Sequence, residues 1–315
     1  MATPIVYKKA DIDADPARAE YKTILPAQRS RTPKAPNIHT AKQQTNTHNQ
    51  PEQNRLGMFP QFHQRNTQLN LADLQHQMCK LILDGKLGLA PVPSPKHVLD
   101  VATGTGIWAL EYAKNNPQAN VIGTDLFTMQ PATAAPNVSF VRQDVEKEEW
   151  NYPHPFDYIH LRYIVSCFDD AQSVFRKAHA ALRPGGYIEI FDLVLHPRYS
   201  GDKRGPALDK WCSAVCAAAT REGRDLRKAE RYKQWLEEIG FVDVVDVEMM
   251  LPGNAWSEDD KIKEIGALLV QVQPGPLLTL GTYFGARGLS GVLDGLAPEM
   301  MRDMEDESIH LCWPM

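Results

Sequence analysis

The sequence predicts an α/β fold, a mostly parallel sheet with helices on both faces, and three observations carry that reading. Between residues 98 and 193 short apolar runs alternate with helical patterns, as right-handed strand–helix–strand crossovers require. Residues 98–106 read Val-Leu-Asp-Val-Ala-Thr-Gly-Thr-Gly, an apolar strand that ends in a carboxylate and runs into a glycine-rich turn. The next strand, Ala119-Asn-Val-Ile-Gly-Thr-Asp125, also ends in an acid, at about the ~20-residue spacing of a ribose-binding carboxylate.

The elements follow in order. Residues 1–58 are rich in Pro, Thr, Gln, Asn and Lys without a sustained apolar period, so a flexible tail that buries no core is expected there. That tail is either simply solvated, which its composition favours, or an arm that docks a protein partner. The basic run Arg29-Ser-Arg31-Thr-Pro-Lys34 suits nuclear import, although such short clusters are common. From Leu69 to Leu87, Leu71, Leu74, Met78, Leu81 and Ile82 recur at helical spacing, with Asn70 or Asp73 as cap and Gly85 and Pro91 as terminators. Val138–Arg142 is a third strand, followed by Gln143-Asp144, a polar pair suited to an adenine edge. Phe156–Leu161 is a fourth. Ala178–Leu182 leads through a turn at Arg183-Pro-Gly-Gly186 into a fifth, Tyr187–Leu193. Helices are expected over Ala207–Arg221 and Lys228–Ile239, the latter closed by Gly240, then a sixth strand over Phe241–Leu251. A helix over Asp259–Val272 is broken by Pro274-Gly-Pro276. Gly281, Gly285, Gly288, Gly291 and Gly295 then punctuate a mixed region expected over the pocket mouth.

At 315 residues the chain accommodates one α/β domain with a tail and a lid. The expected division is a tail over 1–58 and a domain over 59–315, with its core at 96–195 and the lid and C-terminal strands at 196–315. A net charge of −5 argues against nonspecific nucleic-acid binding. No apolar run approaches the ~18 residues of a membrane helix, and the N-terminus lacks a signal-peptide core. Five cysteines without paired spacing suit a reducing compartment, hence the cytoplasm or the nucleus. Cys212 and Cys216 lie four apart on a helix, but with no His cluster beside them they read as buried apolar side chains rather than metal ligands.

Gly104 and Gly106 allow backbone to approach a ligand closely. Gly104-Thr-Gly106-Ile-Trp-Ala109 also fits the dinucleotide fingerprint, so NAD competes with S-adenosyl-L-methionine (SAM) as the nucleoside. Asp100 favours SAM: a carboxylate there suits an amino-acid end and would repel a pyrophosphate. The ordered third, fourth and fifth strands favour it as well.

On these segments the chain resembles a class I SAM-dependent methyltransferase, and within that group the fungal LaeA-like methyltransferases. The resemblance runs through Asp73–Leu87, Asp100–Trp108, Val121–Leu126, Phe156–Arg162, Leu182–Gly186 and Ser308–Pro314. It implies a Rossmann-like sheet of seven strands with a helical lid. It also implies a cofactor cradle: Asp100, Ala102, Thr103, Gly104 and Gly106 at the methionine part, Asp125 and Leu126 at ribose, Asp144 and Val145 at adenine. Leu161 and Arg162 follow at the carboxyl edge, and the helix over Leu69–Leu87 roofs the cofactor with Gln75 or His76 turned inward. There are two departures. Ala102 replaces the motif's first glycine, at little expected steric cost, and the final strand before Met315 is expected to be short or differently paired.

Arg162 either holds a carboxylate of cofactor or substrate, or pairs with Asp157 or Asp169. His160, Tyr163 and His196 are the candidate proton acceptors, though strand alternation turns His160 toward the packed helices. The implied activity is in-line methyl transfer to O, N or C of a small molecule in fungal secondary metabolism. Two other readings stay open: a nuclear regulator of secondary metabolism acting through protein partners, or a SAM-binding protein that transfers no methyl.

Overall fold

The computed structural model describes residues 5–9, 65–131, 135–285 and 290–315. Strands β1 (Ile5–Lys9), β2 (His97–Val101), β3 (Asn120–Asp125), β4 (Val138–Arg142), β5 (Phe156–Arg162) and β6 (Leu182–Phe191) come first. They are followed by β7 (Arg198–Tyr199), β8 (Phe241–Val245), β9 (Met250–Pro252) and β10 (Leu311–Pro314). The main sheet runs β4-β3-β2-β5-β6-β1-β8. Its parallel core, β4 to β6, holds five strands rather than seven, and β1 and β8 complete the seven-stranded sheet. The register sets Asp100 opposite Gly123 on one side and His160 on the other. The carboxyl ends of β2, β3 and β5 therefore meet at one edge, where ligands bind in open α/β sheets.

The N-terminal segment corrects one expectation. Ile5–Lys9 is a strand, antiparallel to β6 through Ile5↔Ile190 and Lys8↔Tyr187 and to β8 through Val6↔Val245. Five extended residues need no core of their own, because an existing sheet edge supplies their backbone hydrogen bonds. Arg29–Lys34 and the remainder of the expected tail to residue 58 lie outside the described residues.

With β1 beside β6, the final strand pairs elsewhere: β10 lies between β7 and β9 in a separate three-stranded sheet. The expected sixth strand likewise divides into β8 and β9, which belong to different sheets, and Asp243 within it has φ 53°. Arg183–Gly186 is part of β6 rather than a free turn. Gly185, at φ 71°, accompanies a register shift against Phe156 and Tyr158, so these residues form a bulge.

Helix α1 (Arg65–Ile82) begins and ends earlier than its apolar period suggested, before Gly85 at φ 83°. Helices α2 (Ile107–Asn115) and α3 (Ala171–Ala181) cover the sheet. Next come α4 (Pro206–Arg221), a 3₁₀ turn at Lys228–Arg231, and α5 (Tyr232–Ile239), which Gly240 closes at φ 110°. Asp259 caps α6 (Asp260–Val272), its side chain accepting from Ile262 N at 3.0 Å. Pro274 does not lead into a mixed region. It opens α7 (Pro274–Gly285), since proline is tolerated in a first helical turn, and α8 (Ser290–Glu305) follows. Gly281 serves close packing here, because a Cβ would lie 2.7 Å from the Trp211 ring.

One core packs Phe175, Tyr232 and Leu236 against Ile159 and Leu161, and another packs Trp108 and Tyr112 against Tyr158. A third surrounds Trp211 of α4, Phe284 of α7 and Trp313 of β10. Cys212 is buried and Cys216 half-buried, both as free thiols. Among the described residues no group of three His, Cys, Asp or Glu is arranged to hold a metal, and no helix is long and apolar enough to cross a membrane.

Candidate functional site

Three residues of the turn between β2 and α2 are left-handed: Ala102 at φ 57°, Gly104 at 58° and Gly106 at 81°. Thr103 N–H donates to Thr124 O at 2.9 Å and Gly106 N–H to Thr103 O at 3.0 Å, which closes the turn. The two glycines are needed for different reasons. A Cβ on Gly106 would lie 2.5 Å from Phe140 Cζ, whereas one on Gly104 would meet nothing within 4 Å. Gly106 is pressed against protein, while Gly104 borders open space. Ala102 corrects a second expectation, since an L-residue in this region carries about 1–2 kcal/mol of backbone strain.

Asp125 clamps the turn: Oδ2 accepts from Gly104 N–H at 2.8 Å and Oδ1 from Phe127 N–H at 3.0 Å. Burial pushes its carboxyl above the usual range, and the backbone N–H groups pull against that. Gln130, which the sequence reading missed, donates to Gly104 O at 2.5 Å. Leu126 follows at the strand end, and its carbonyl accepts from Arg142 Nε at 3.1 Å.

Asp100 is 3% exposed, with Oδ1 2.7 Å from His160 Nδ1 and Oδ2 accepting from Thr103 Oγ1 at 2.5 Å. His160 stacks on Trp108 at 3.7 Å between centroids, and the Trp108 indole donates to Leu87 O at 2.7 Å. His160 thus lies on the helix-packed face.

The three candidate proton acceptors are not brought together. Tyr163 has φ 55°, and burial beside Cys79 holds its phenol well above its ordinary pKa. His196 sits in the loop after β6, its Nδ1 buried without a hydrogen-bond partner among the described residues. Burial, Arg227 and Arg198 lower its pKa. Asp192, at the end of β6, accepts from Tyr232 Oη at 2.8 Å and Val165 N–H at 3.1 Å, and burial pushes it up to about 6.

At the expected adenine end, Asp144 Oδ1 accepts from the N–H groups of Glu146 at 3.2 Å and Lys147 at 3.1 Å. Val145 is core, its carbonyl accepting from Trp150 Nε1 at 2.8 Å, and Leu161 is fully buried.

Helix α1 crosses the other side of the edge. Gln75 is half-buried, and His76 is the residue turned inward. His76 Nε2 lies 2.6 Å from Glu111 Oε2, and Lys80 Nζ donates to Glu111 Oε1 at 2.5 Å. Arg162 Nη2 is 3.3 Å from His76 Nδ1. Neither expected acid partner is used by Arg162, since Asp157 pairs with Arg183 and Asp169 with Arg224.

A cleft of about 1020 Å³ opens beside the turn, lined by Thr105, Ile107, Leu110, Met129, Gln130 and Phe140 among others. Asp100, Asp125, Asp144 and Arg162 do not line it. The β3–β4 crossover has no helix among its described residues.

The model of a family described as a methyltransferase domain matches residues 72–246, which contain this edge. The chain belongs to the methyltransferase-domain family. The methyltransferase pytC of Aspergillus terreus is 36% identical over 202 residues, covering 62% of each chain. The probable methyltransferase tdiE of Emericella nidulans is 29% identical over 287 residues, 84% of this chain and 85% of that one. The secondary metabolism regulator LAE1 of Cochliobolus heterostrophus is 34% identical over 202 residues, 62% of this chain and 66% of that one. The match thus spans about 62% of the length of pytC, and the resemblance to class I, LaeA-like methyltransferases is borne out. SAM is the cofactor expected from the sequence of such a methyltransferase domain. The residues present fit it: Gly104 borders open space, Thr105 Oγ1 is buried without a partner among the described residues, and acidic groups stand at the ends of β2 and β3.

Proposed function

We propose that this chain transfers the methyl group of SAM to an O, N or C atom of a small molecule in fungal secondary metabolism. The observation that carries this reading is the turn that opens at Gly104 between the carboxylates of Asp100 and Asp125. Bound SAM supplies a sulfonium methyl with its own leaving group, so the protein's contribution is alignment and exclusion of water. Asp125 and Leu126 take the ribose, Asp144 and Val145 the adenine edge, and Asp100, Ala102, Thr103, Gly104 and Gly106 the amino-acid end. Gln75, Leu161 and Arg162 border that end. His160 orients Asp100, and burial beside Cys79 keeps the Tyr163 phenol from serving as a base. The similarity to the methyltransferase pytC and the probable methyltransferase tdiE supports methyl transfer as the reaction.

Calorimetry with SAM and S-adenosylhomocysteine (SAH) tests binding, and conversion of SAM to SAH in a fungal metabolite extract tests transfer. Micromolar binding with extract-dependent turnover is expected. A folded protein that binds NAD but neither SAM nor SAH overturns the reading. The similarity to LAE1 favours a second one, a nuclear regulator working through protein partners, with residues 10–58 as the docking arm. Binding without turnover in any extract, together with nuclear localisation of a tagged chain, would select it over a cytoplasmic enzyme. Binding without turnover or partners would leave the protein that holds SAM without methyl transfer.

A further inference from the structure

We propose that His76 positions Arg162 to receive a carboxylate, as a neutral imidazole that accepts a hydrogen bond from Arg162 while donating one to Glu111. The inference rests on the SAM-binding reading, and the carboxylate it assigns is the one on the amino-acid end of the cofactor.

The register Val101↔Leu161 sets Arg162 across from Ala102, the first residue of the turn, so its guanidinium belongs to the amino-acid end of the site. The acids around it are committed. Asp157 pairs with Arg183 and accepts from the N–H groups of Lys96 and His97, Asp169 pairs with Arg224, and Glu111 serves His76 and Lys80. A guanidinium is always charged and carries five donors, so a half-buried one with no acid partner among the described residues is costly until an anion arrives. Its contact with His76 is a single one at 3.3 Å, and the buried Cys79 thiol, also on α1 and kept protonated by burial, faces it as well.

The protonation pattern follows from chemistry. A carboxylate oxygen only accepts, so at 2.6 Å from Glu111 the His76 Nε2 carries the hydrogen. The neutral ring then presents a lone pair at Nδ1 to Arg162. A second proton would set N–H against N–H and loosen the guanidinium. Burial, the largest influence, and the positive charges of Arg162 and Lys80 favour the neutral ring, against Glu111. Three elements thereby fix one rotamer: His76 and Lys80 from α1, Glu111 from α2 and Arg162 from β5. The roof helix is joined to the ligand edge through this imidazole.

Two substitutions separate the two hydrogen bonds of the ring. His76→Gln keeps a donor toward Glu111 and removes the acceptor facing Arg162, while His76→Asn keeps an acceptor in the Nδ1 position. Affinities for SAH and for 5′-methylthioadenosine, which lacks the amino-acid end, are measured by calorimetry beside thermal melts. His76→Gln should weaken SAH about tenfold, the worth of one charge-assisted bond, and leave methylthioadenosine unchanged. His76→Asn should hold SAH near wild type even where its melting temperature falls. Wild-type affinity for SAH should also decline as pH drops through the lowered His76 pKa, and His76→Asn should not share that decline. In the Arg162→Gln background, His76→Gln should cost no further SAH affinity, which keeps the test decisive if the single variant is unstable. Equal SAH binding by wild type and His76→Gln, or equal loss of both ligands, overturns the inference, as does additive loss in the double variant. A carboxylate contributed by the acceptor would give the first of these results. Failure of the wild type to bind SAH would instead overturn the cofactor reading itself.

Discussion

Gly104 and Gly106 stand two residues apart at φ 58° and 81°, yet they should fail differently when each receives a methyl group. In Gly106→Ala the Cβ falls 2.5 Å from Phe140 Cζ and 2.7 Å from Cε1, on top of the left-handed strain. The strain is about 1–2 kcal/mol, and forcing a methyl into packed space adds about 1–3 kcal/mol. Reduced unfolded-state entropy returns about 0.4–1 kcal/mol, leaving a net loss of about 2–4 kcal/mol. In Gly104→Ala only the strain and the entropy gain apply, so the net loss is about 1 kcal/mol. Its methyl occupies the open space where the cofactor must approach, so SAH affinity should drop at least about tenfold, a change of about 1.4 kcal/mol. Urea titrations at constant m give the stabilities and calorimetry gives the affinities. Phe140→Leu should recover part of the stability of Gly106→Ala and none of the affinity of Gly104→Ala. If Gly104→Ala binds SAH like wild type, or Gly106→Ala is no less stable than Gly104→Ala, the division of labour argued for this turn is wrong.

Asp125→Ala should weaken SAH by about 1.5–3 kcal/mol, the worth of a charge-assisted hydrogen bond, and calorimetry would show it; unchanged affinity would remove Asp125 from the ribose site. Deleting residues 1–9 should lower the melting temperature, because among the described strands β8 joins the main sheet through β1 alone. An unchanged melt would show that β1 contributes nothing to the fold. For Asp192 the folded pKa of about 6 stands above its ordinary 3.8, so the native state holds the proton more tightly. Its contribution to stability should therefore fall as pH rises from about 4 to 6 and stay level above that. Asp192→Asn should flatten that segment of a stability–pH curve, and an unaltered slope would assign it to other groups.

The α/β alternation, the glycine turn and the acids closing β2 and β3 were legible because each is a local matter. Side-chain period and backbone φ are set by residues a few positions apart, and Gly240 could be placed as a cap for the same reason, whereas Asp259, read as the first residue of its helix, is its cap. What the sequence left open depended on partners far along the chain. Asp100 meets His160 only because strand register sets them opposite each other, and Arg162 meets His76 rather than Asp157 or Asp169 because α1 crosses the sheet edge. The place beside β6 goes to Ile5–Lys9, which sends β10 into a second sheet and parts β8 from β9. No local propensity encodes these choices. A strand edge or a charged group takes whichever partner the folded chain brings within hydrogen-bonding distance, so tertiary packing decided them.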